Sequence, residues 1–459
     1  MLSAVPFQVV NPATGETGAP RPFASPAELD GAVSAAHAAQ KPWAAISLGE
    51  RTAVLRRVAQ FHRDRLDELA ATAVREMGKP ITQARAEVEF SADIYDYYAD
   101  NAEGMLVDES IELEDGDGSA IIRKQAIGVV LGIMPWNFPY YQVARFAAPS
   151  LAVGNTVLLK PAPQCLESSQ GISDAFAAAM TPEGVFARIL ASEAELGRVI
   201  EDPRVAGVSF TGSERAGAVV GRLAGGAVKK VVLELGGSDP FLVLDATDLS
   251  ASVDAAVEAR LDNTGQSCNG AKRIIVVDGV YDAFVERFVD KLSATTPGDP
   301  MDEQTIIGPL SSVRAAEILE SQVNRAIEAG ATALLRSARD GAYYTCGVLA
   351  DVTASNPVHR EELFGPVAIV YRAADEGEAV RIANDTPYGL GSYVFTGDSA
   401  QADRVADALD AGMVYVNGVG LDAANLPFGG TKRSGSGREL GSLGIREFIN
   451  HKLIRSVAR

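Results

Sequence analysis

The chain has 459 residues, 47% of them hydrophobic and 22% charged, which describes a globular protein too long for one hydrophobic core. A formal net charge of -19 argues against nucleic acid or an anionic membrane as partner. No apolar run approaches the roughly 20 residues of a membrane span and no basic-then-apolar leader opens the chain, so a cytoplasmic location is expected. Three widely spaced cysteines and four scattered histidines suggest neither a disulfide framework nor a protein-bound metal.

Residues 1–24 are turn-rich and read as a short strand and loop. Capping boxes at Ser25-Pro26-Ala27-Glu28 and Ser47-Leu48-Gly49-Glu50 announce two helices, because the Ser and Glu side chains satisfy each other's free N–H groups. The second is expected to run on through Leu55, Val58, Leu66 and Leu69, with Arg51, Arg56, Arg57, Arg63 and Arg65 as a solvated face. A third helix is expected over 80–103. Met105-Leu106-Val107 and Ala120-Ile121-Ile122, flanking an acidic turn at 114–118, read as a hairpin that projects toward a partner subunit.

From residue 127 strands alternate with helices. Strands are expected at 127–134, 155–159, 185–190, 205–210 and 231–235, with helices at 165–180, 193–201 and 213–224. That rhythm predicts an α/β fold with a doubly wound parallel sheet, whose ligands sit at the carboxyl ends of the strands. Those ends are polar or glycine-rich. Pro135-Trp136-Asn137-Phe138-Pro139 holds an asparagine between two prolines, either as a rigid amide donor or as a simple turn residue. Lys160 leaves a buried strand and can reach a ribose or phosphate, or only solvent. Thr211-Gly212-Ser213 opens a helix whose free N–H groups suit phosphate, without the Gly-x-Gly-x-x-Gly dinucleotide pattern. Glu234, at a buried strand end before Leu235-Gly236-Gly237, is costly unless paired or used as a base.

A helix over 250–262 leads to Gly265-Gln266-Ser267-Cys268, a cysteine in a loop between regular elements. Further elements are expected at 272–277, 281–293, 312–329, 367–371, 392–395 and 413–417. In Glu362-Leu363-Phe364-Gly365-Pro366 an acid and an aromatic ring stand two apart. The loop 427–439 and a short strand within 451–459 close the chain.

Together, in this order, Pro135–Pro139, Lys160-Pro161-Ala162, Phe210–Ser213, Glu234–Gly237, Gly265–Cys268, Glu362–Pro366 and Pro427–Gly430 resemble the aldehyde dehydrogenase superfamily over essentially the whole chain. The resemblance implies an NAD(P)-binding domain from 1–104 and 129–235 and a catalytic domain over 236–425. It also implies an oligomerisation arm from 105–128 and 440–459, hence a homodimer or homotetramer. Cys268 is then the nucleophile, Asn137 the oxyanion donor and Glu234 the base that activates water. Pro135, Trp136, Lys160, Pro163, Gly212, Ser213, Leu235, Glu362 and Phe364 are the implied NAD or NADP contacts. The nearest likeness is to compact bacterial succinate-semialdehyde dehydrogenases, carried by 136–145, 263–268 and 434–440. Arg145, eight residues past Asn137, falls on roughly the same helix face and is either a ligand for a substrate carboxylate or a structural arginine. Three departures stand out. Pro163 replaces the acid or serine that sets cofactor preference, Asn269-Gly270 replaces a small apolar pair, and Ser436 stands where a bulky residue is common. Another aliphatic or aromatic aldehyde is the alternative substrate, and a non-catalytic ligand-binding protein on the same scaffold is the remote alternative.

Overall fold

The computed structural model describes residues 7–114 and 117–457; Asp115 and Gly116 of the expected acidic turn lie outside them. The chain opens with four helices, α1 (Pro26–Ala45), α2 (Leu48–Asp64), α3 (Leu66–Met77) and α4 (Ile81–Leu106). Both expected capping boxes are formed. Two expectations fail here. The second helix does not run through Leu66, because Arg65 leaves helical geometry (φ -116, ψ 24) and its N–H bonds back to Phe61 and Arg63. A new helix starts behind it with Asp67 and Glu68 in its first turn, where they complement the helix dipole. Met105 and Leu106 finish α4 instead of forming a strand, since they pack against the core that the helix already faces.

The arginines of α2 are also not one solvated face. Arg51 is buried, its Nε donating to Ala152 O at 2.9 Å and its Nη1 to Ile46 O at 2.6 Å, so it caps carbonyls that would otherwise be unpaired. Arg56 and Arg63 pair with Asp100, Asp93 and Asp96 on α4, tying the two helices together.

Beyond them come β1 (Glu109–Ile111), β2 (Ser119–Ala126), β3 (Val129–Ile133), α5 (Tyr141–Val153), β4 (Thr156–Lys160), α6 (Leu166–Ala178), β5 (Phe186–Arg188), α7 (Glu193–Glu201), β6 (Val205–Thr211), α8 (Glu214–Gly226) and β7 (Lys230–Glu234). The third stretch begins with β8 (Asp239–Val243), α9 (Leu249–Leu261), β9 (Ala271–Val277), α10 (Asp278–Ala294) and α11 (Val313–Glu328). It continues through β10 (Thr332–Leu335), β11 (Arg339–Asp340), β12 (Tyr343–Tyr344), β13 (Gly347–Ala350), β14 (Val367–Ala373), α12 (Glu376–Asn384), β15 (Tyr393–Phe395), α13 (Ser399–Ala408) and β16 (Tyr415–Val416). Strands β17 (Gly435–Ser436) and β18 (Ile449–Ser456) close the chain.

Two large sheets result, making the fold α/β as expected. One has the order β17-β7-β6-β3-β4-β5, parallel except for β17. The other runs β10-β13-β14-β9-β8-β15-β16, parallel except for β10. Strand β8 was not expected, although its run Phe241-Leu242-Val243 is fully buried and apolar. Register sets Ile133 beside Lys160 and Phe210, and Thr211 beside Glu234, so the carboxyl ends of four neighbouring strands form one edge. A third sheet, β1-β2-β18, is antiparallel and joins the two segments expected to build the arm. Among the described residues no helix is long and apolar enough to cross a membrane.

Candidate active site

The loop that carries Cys268 is held in a costly backbone shape. After α9, Asn263, Thr264 and Gly265 all have positive φ (50°, 57° and 76°), a left-handed turn that Asn and Gly tolerate but the β-branched Thr264 adopts only under constraint. The constraint comes from elsewhere in the chain. Gln83 Oε1 accepts from Asn263 N at 2.7 Å, Thr264 Oγ1 accepts from Gly308 N at 2.9 Å, and Gln266 Oε1 accepts from Ser311 N at 2.8 Å. Gly265 has no room for a side chain: a Cβ would lie 2.4 Å from the carbonyl of Gly365. We expect Gly265→Ala to cost more than 3 kcal/mol, read as a fall in thermal midpoint with loss of activity; a midpoint within a degree of the parent would contradict this account.

Below the loop, Lys272 on β9 is buried and donates to Ser267 O at 2.8 Å and Cys268 O at 2.7 Å. Its ammonium also pairs with Glu362 at 3.1 Å, and Glu362 Oε1 accepts from Gly237 N at 3.2 Å. Cys268 itself is half-buried on the wall of a cavity of about 510 Å³. Burial pushes its thiol up to about 12, against the pull of Arg145 and Lys272. At neutral pH the resting sulfur is therefore protonated.

Asn137, from the turn after β3, is 5% exposed. Its Nδ2 donates to Gln266 O at 3.0 Å and its Oδ1 accepts from Gln142 Nε2 at 2.9 Å, which fixes the orientation of the amide. The turn is braced from α4, where Glu87 accepts from Tyr140 N (2.8 Å) and Tyr141 N (3.2 Å) and pairs with buried Lys79. Lys79 Nζ sits 3.6 Å from the centre of the Phe138 ring.

Glu234 ends β7, 2% exposed, with neither carboxylate oxygen hydrogen-bonded to another described residue. Burial, reinforced by the nearby Glu439 carboxylate, holds its pKa well above the usual carboxylate range. Glu439 is balanced by Arg145, whose Nε lies 2.6 Å from Glu439 Oε2, and by Ser209 Oγ at 3.0 Å. Arg145 lies between the rings of Tyr141 (4.7 Å) and Phe428 (4.4 Å) and lines the cavity that Cys268 faces. Its Nη1 has no hydrogen-bond partner among the described residues.

The expected cofactor residues fall on the neighbouring edge. Pro135 and Trp136 follow β3, Lys160 ends β4 with Pro163 just beyond, Gly212 and Ser213 join β6 to α8, and Leu235 follows β7. Glu362 and Phe364 reach this edge from the loop before β14, with Phe364 packed edge-on to Trp136 at 5.8 Å. The cleft has the build of a dinucleotide site. A Cβ at Gly212 would strike the Phe210 ring at 2.7 Å, and one at Gly236 would meet Glu362 Oε2 at 2.3 Å, so glycine keeps backbone and carboxylate open to a ligand. Lys272 and Glu87 lie outside the motifs that carry the resemblance, and Gln142 and Glu439 lie inside two of them without a side-chain role that the sequence signals; packing against the site residues identifies all four.

The model of the aldehyde dehydrogenase family matches residues 3–454. The chain belongs to the aldehyde dehydrogenase family. The dehydrogenase is 49% identical to a succinate-semialdehyde dehydrogenase [NADP(+)] of Deinococcus radiodurans, over 98% of this chain and 95% of the relative. A protein of the same name from Mycobacterium ulcerans is 44% identical over 98% of this chain and 99% of its own. Among solved structures, succinic semialdehyde dehydrogenase from Streptococcus pyogenes in complex with NADP+ superposes with a TM-score of 0.96 at 38% identity, covering 98% of this chain and all of that one. Lactaldehyde dehydrogenase from Escherichia coli reaches the same TM-score at 34% identity, covering 100% of the dehydrogenase and 97% of that chain.

Proposed function

We propose that this aldehyde dehydrogenase oxidises succinate semialdehyde to succinate with NAD or NADP, using Cys268 as nucleophile. The observation that carries the reading is the cavity itself, which Cys268 and Arg145 both line, with the oriented Asn137 amide bonded to the carbonyl of Gln266 two residues before the cysteine. Cys268 gives up its thiol proton to solvent and its Sγ adds to the aldehyde carbon, and the Asn137 amide with the Cys268 N–H stabilises the oxyanion as it forms. Bound NAD or NADP supplies the hydride acceptor, held by Lys160, Glu362 and the start of α8 and flanked by Trp136 and Phe364. Oxidation of the thiohemiacetal leaves a thioester on Cys268. Glu234 takes a proton from water as that water attacks the thioester, releasing the acid. Its raised pKa suits it to hold the proton and pass it on.

The division into a cofactor-binding unit (1–104 and 129–235), a catalytic unit (236–425) and an arm (105–128 and 440–459) belongs to the same proposal. So do a homodimer or homotetramer built through that arm and a cytoplasmic location. The long exposed edge of β18 supports the oligomer, because an unpaired edge of this kind is a template for another strand.

Absorbance at 340 nm with succinate semialdehyde, propanal and benzaldehyde, each with NAD and NADP, tests the substrate. Arg145→Ala tests the carboxylate contact. A charge-assisted hydrogen bond of about 2 kcal/mol predicts that kcat/KM for succinate semialdehyde falls about thirtyfold more than for butanal. An equal fall for both aldehydes assigns Arg145 to holding Glu439 alone.

A further inference from the structure

The ammonium of buried Lys272 has three N–H donors, and each meets an acceptor. They are Ser267 O at 2.8 Å, Cys268 O at 2.7 Å and Glu362 Oε1 at 3.1 Å. The two carbonyls belong to the peptide planes immediately before and after the Cys268 Cα. Two dihedral angles set how a residue sits between its rigid peptide planes, so one buried cation fixes both for the nucleophile. Arg273, next on β9, also donates to three carbonyls, those of Ser238, Ile382 and Ala383, none of them on the nucleophile loop. The grip on Cys268 is particular to Lys272.

The peptide before Cys268 also responds electronically. Its carbonyl, on Ser267, takes the ammonium, while its N–H, on Cys268, makes no backbone hydrogen bond among the described residues. Amide resonance links the two groups, so drawing electron density onto the carbonyl oxygen leaves the N–H more positive. Hydrogen bonds joined in this way strengthen one another, and a charged donor does more than a neutral one. Gly270 N also donates to Ser267 O, at 3.3 Å, and acts in the same direction. The Cys268 N–H is thereby a stronger donor than an ordinary backbone amide.

We propose that Lys272 is a positioning residue for the oxyanion. It orients and polarises the Ser267–Cys268 peptide, so that the Cys268 N–H shares with Asn137 the charge that forms on the aldehyde oxygen. The proposal rests on the reading of Cys268 as nucleophile and is independent of which aldehyde it attacks. Lys272 neither touches the substrate nor gives up a proton in this role. It keeps its three hydrogen bonds throughout the addition, and its charge is felt across one peptide unit.

The test compares two reactions of one sulfur in the native chain, Lys272→Met and Lys272→Gln. Alkylation by iodoacetamide needs the thiolate but builds no oxyanion. Single-turnover oxidation of butanal, read at 340 nm with enzyme in excess of NAD or NADP, needs both. Lys272→Met keeps most of the stem and removes the charge. Alkylation slows, because the ammonium also favours the thiolate. Oxidation slows about tenfold more than alkylation, while KM for butanal stays within about threefold of the native value. Lys272→Gln retains a neutral donor, so its rates fall between the two, and it carries the test should Lys272→Met fail to fold. Equal slowing of both reactions overturns the proposal, since Lys272 then acts on the sulfur alone. Oxidation within about twofold of native in both variants overturns it as well. Oxidation that survives complete alkylation of Cys268 in the native chain is a separate failure: it removes the nucleophile reading, and this proposal with it.

Discussion

Glu234→Gln releases about one equivalent of NADH or NADPH per active site and then nearly stops. Gln is close to Glu in shape and fits the pocket below Gly429, where a Cβ would already lie 2.5 Å from Glu234 Oε1. It cannot take a proton. Formation of the thioester needs only Cys268 and a hydride acceptor, whereas its hydrolysis needs water activated by a base. Loss of a general base is worth about 10² to 10⁴ in rate, so steady-state turnover falls by about a thousandfold while the first turnover persists. Rapid mixing at 340 nm reads both phases. Steady-state turnover within tenfold of the native enzyme would remove Glu234 from the hydrolytic step. Gln is uncharged and nearly isosteric with a protonated Glu, so it keeps the packing of this buried position and the variant folds.

Cys268→Ala has the larger effect. Aldehyde oxidation falls by about 10⁴-fold or more, because the cavity offers no second thiol and the neighbouring Ser267 hydroxyl is a far weaker nucleophile, engaged with Asn269 Oδ1. The thermal midpoint stays near the native value, since the half-buried thiol is replaced by a smaller apolar group. The native thiol adds a pH signature. With its pKa pushed up to about 12, the thiolate fraction is small and rises close to tenfold per pH unit below that value. Alkylation of the ligand-free enzyme by iodoacetamide therefore quickens about tenfold from pH 7 to 8 and again from 8 to 9. A plateau below pH 8 would mean that Arg145 and Lys272 outweigh burial.

Much of this site can be read along the chain because its first contacts are local. Proline or glycine close behind a strand marks where regular pairing stops, and Asn137, Lys160, Gly212 and Glu234 all stand at or just beyond such ends in the six-stranded sheet. Parallel register then brings those ends together without further information. Supporting residues are different. Glu439 meets Arg145 and Ser209 only because β17 returns to pair with β7, and nothing near Glu439 in the chain signals that return. Gln83 and Ser311 reach the cysteine loop from separate elements. Arg51 looks like its exposed neighbours in composition, yet one turn of α2 points it at the end of α5. The Arg65 break is set by a single residue's dihedral angles, which an uninterrupted apolar stripe conceals.

Burial of Cys268 also bears on how the protein ages. Peroxide and other mild oxidants attack thiolates, and the sulfenic acid they form goes on to products that are not readily reversed. A sulfur kept protonated by its surroundings offers little of the vulnerable form. The ligand-free dehydrogenase therefore carries the sulfur proposed as its nucleophile in a shielded state, and the other two cysteines are buried beneath the surface. Exposure to oxidants becomes dangerous under the alkaline conditions that also speed attack on the aldehyde, so reactivity and durability are set by a single proton.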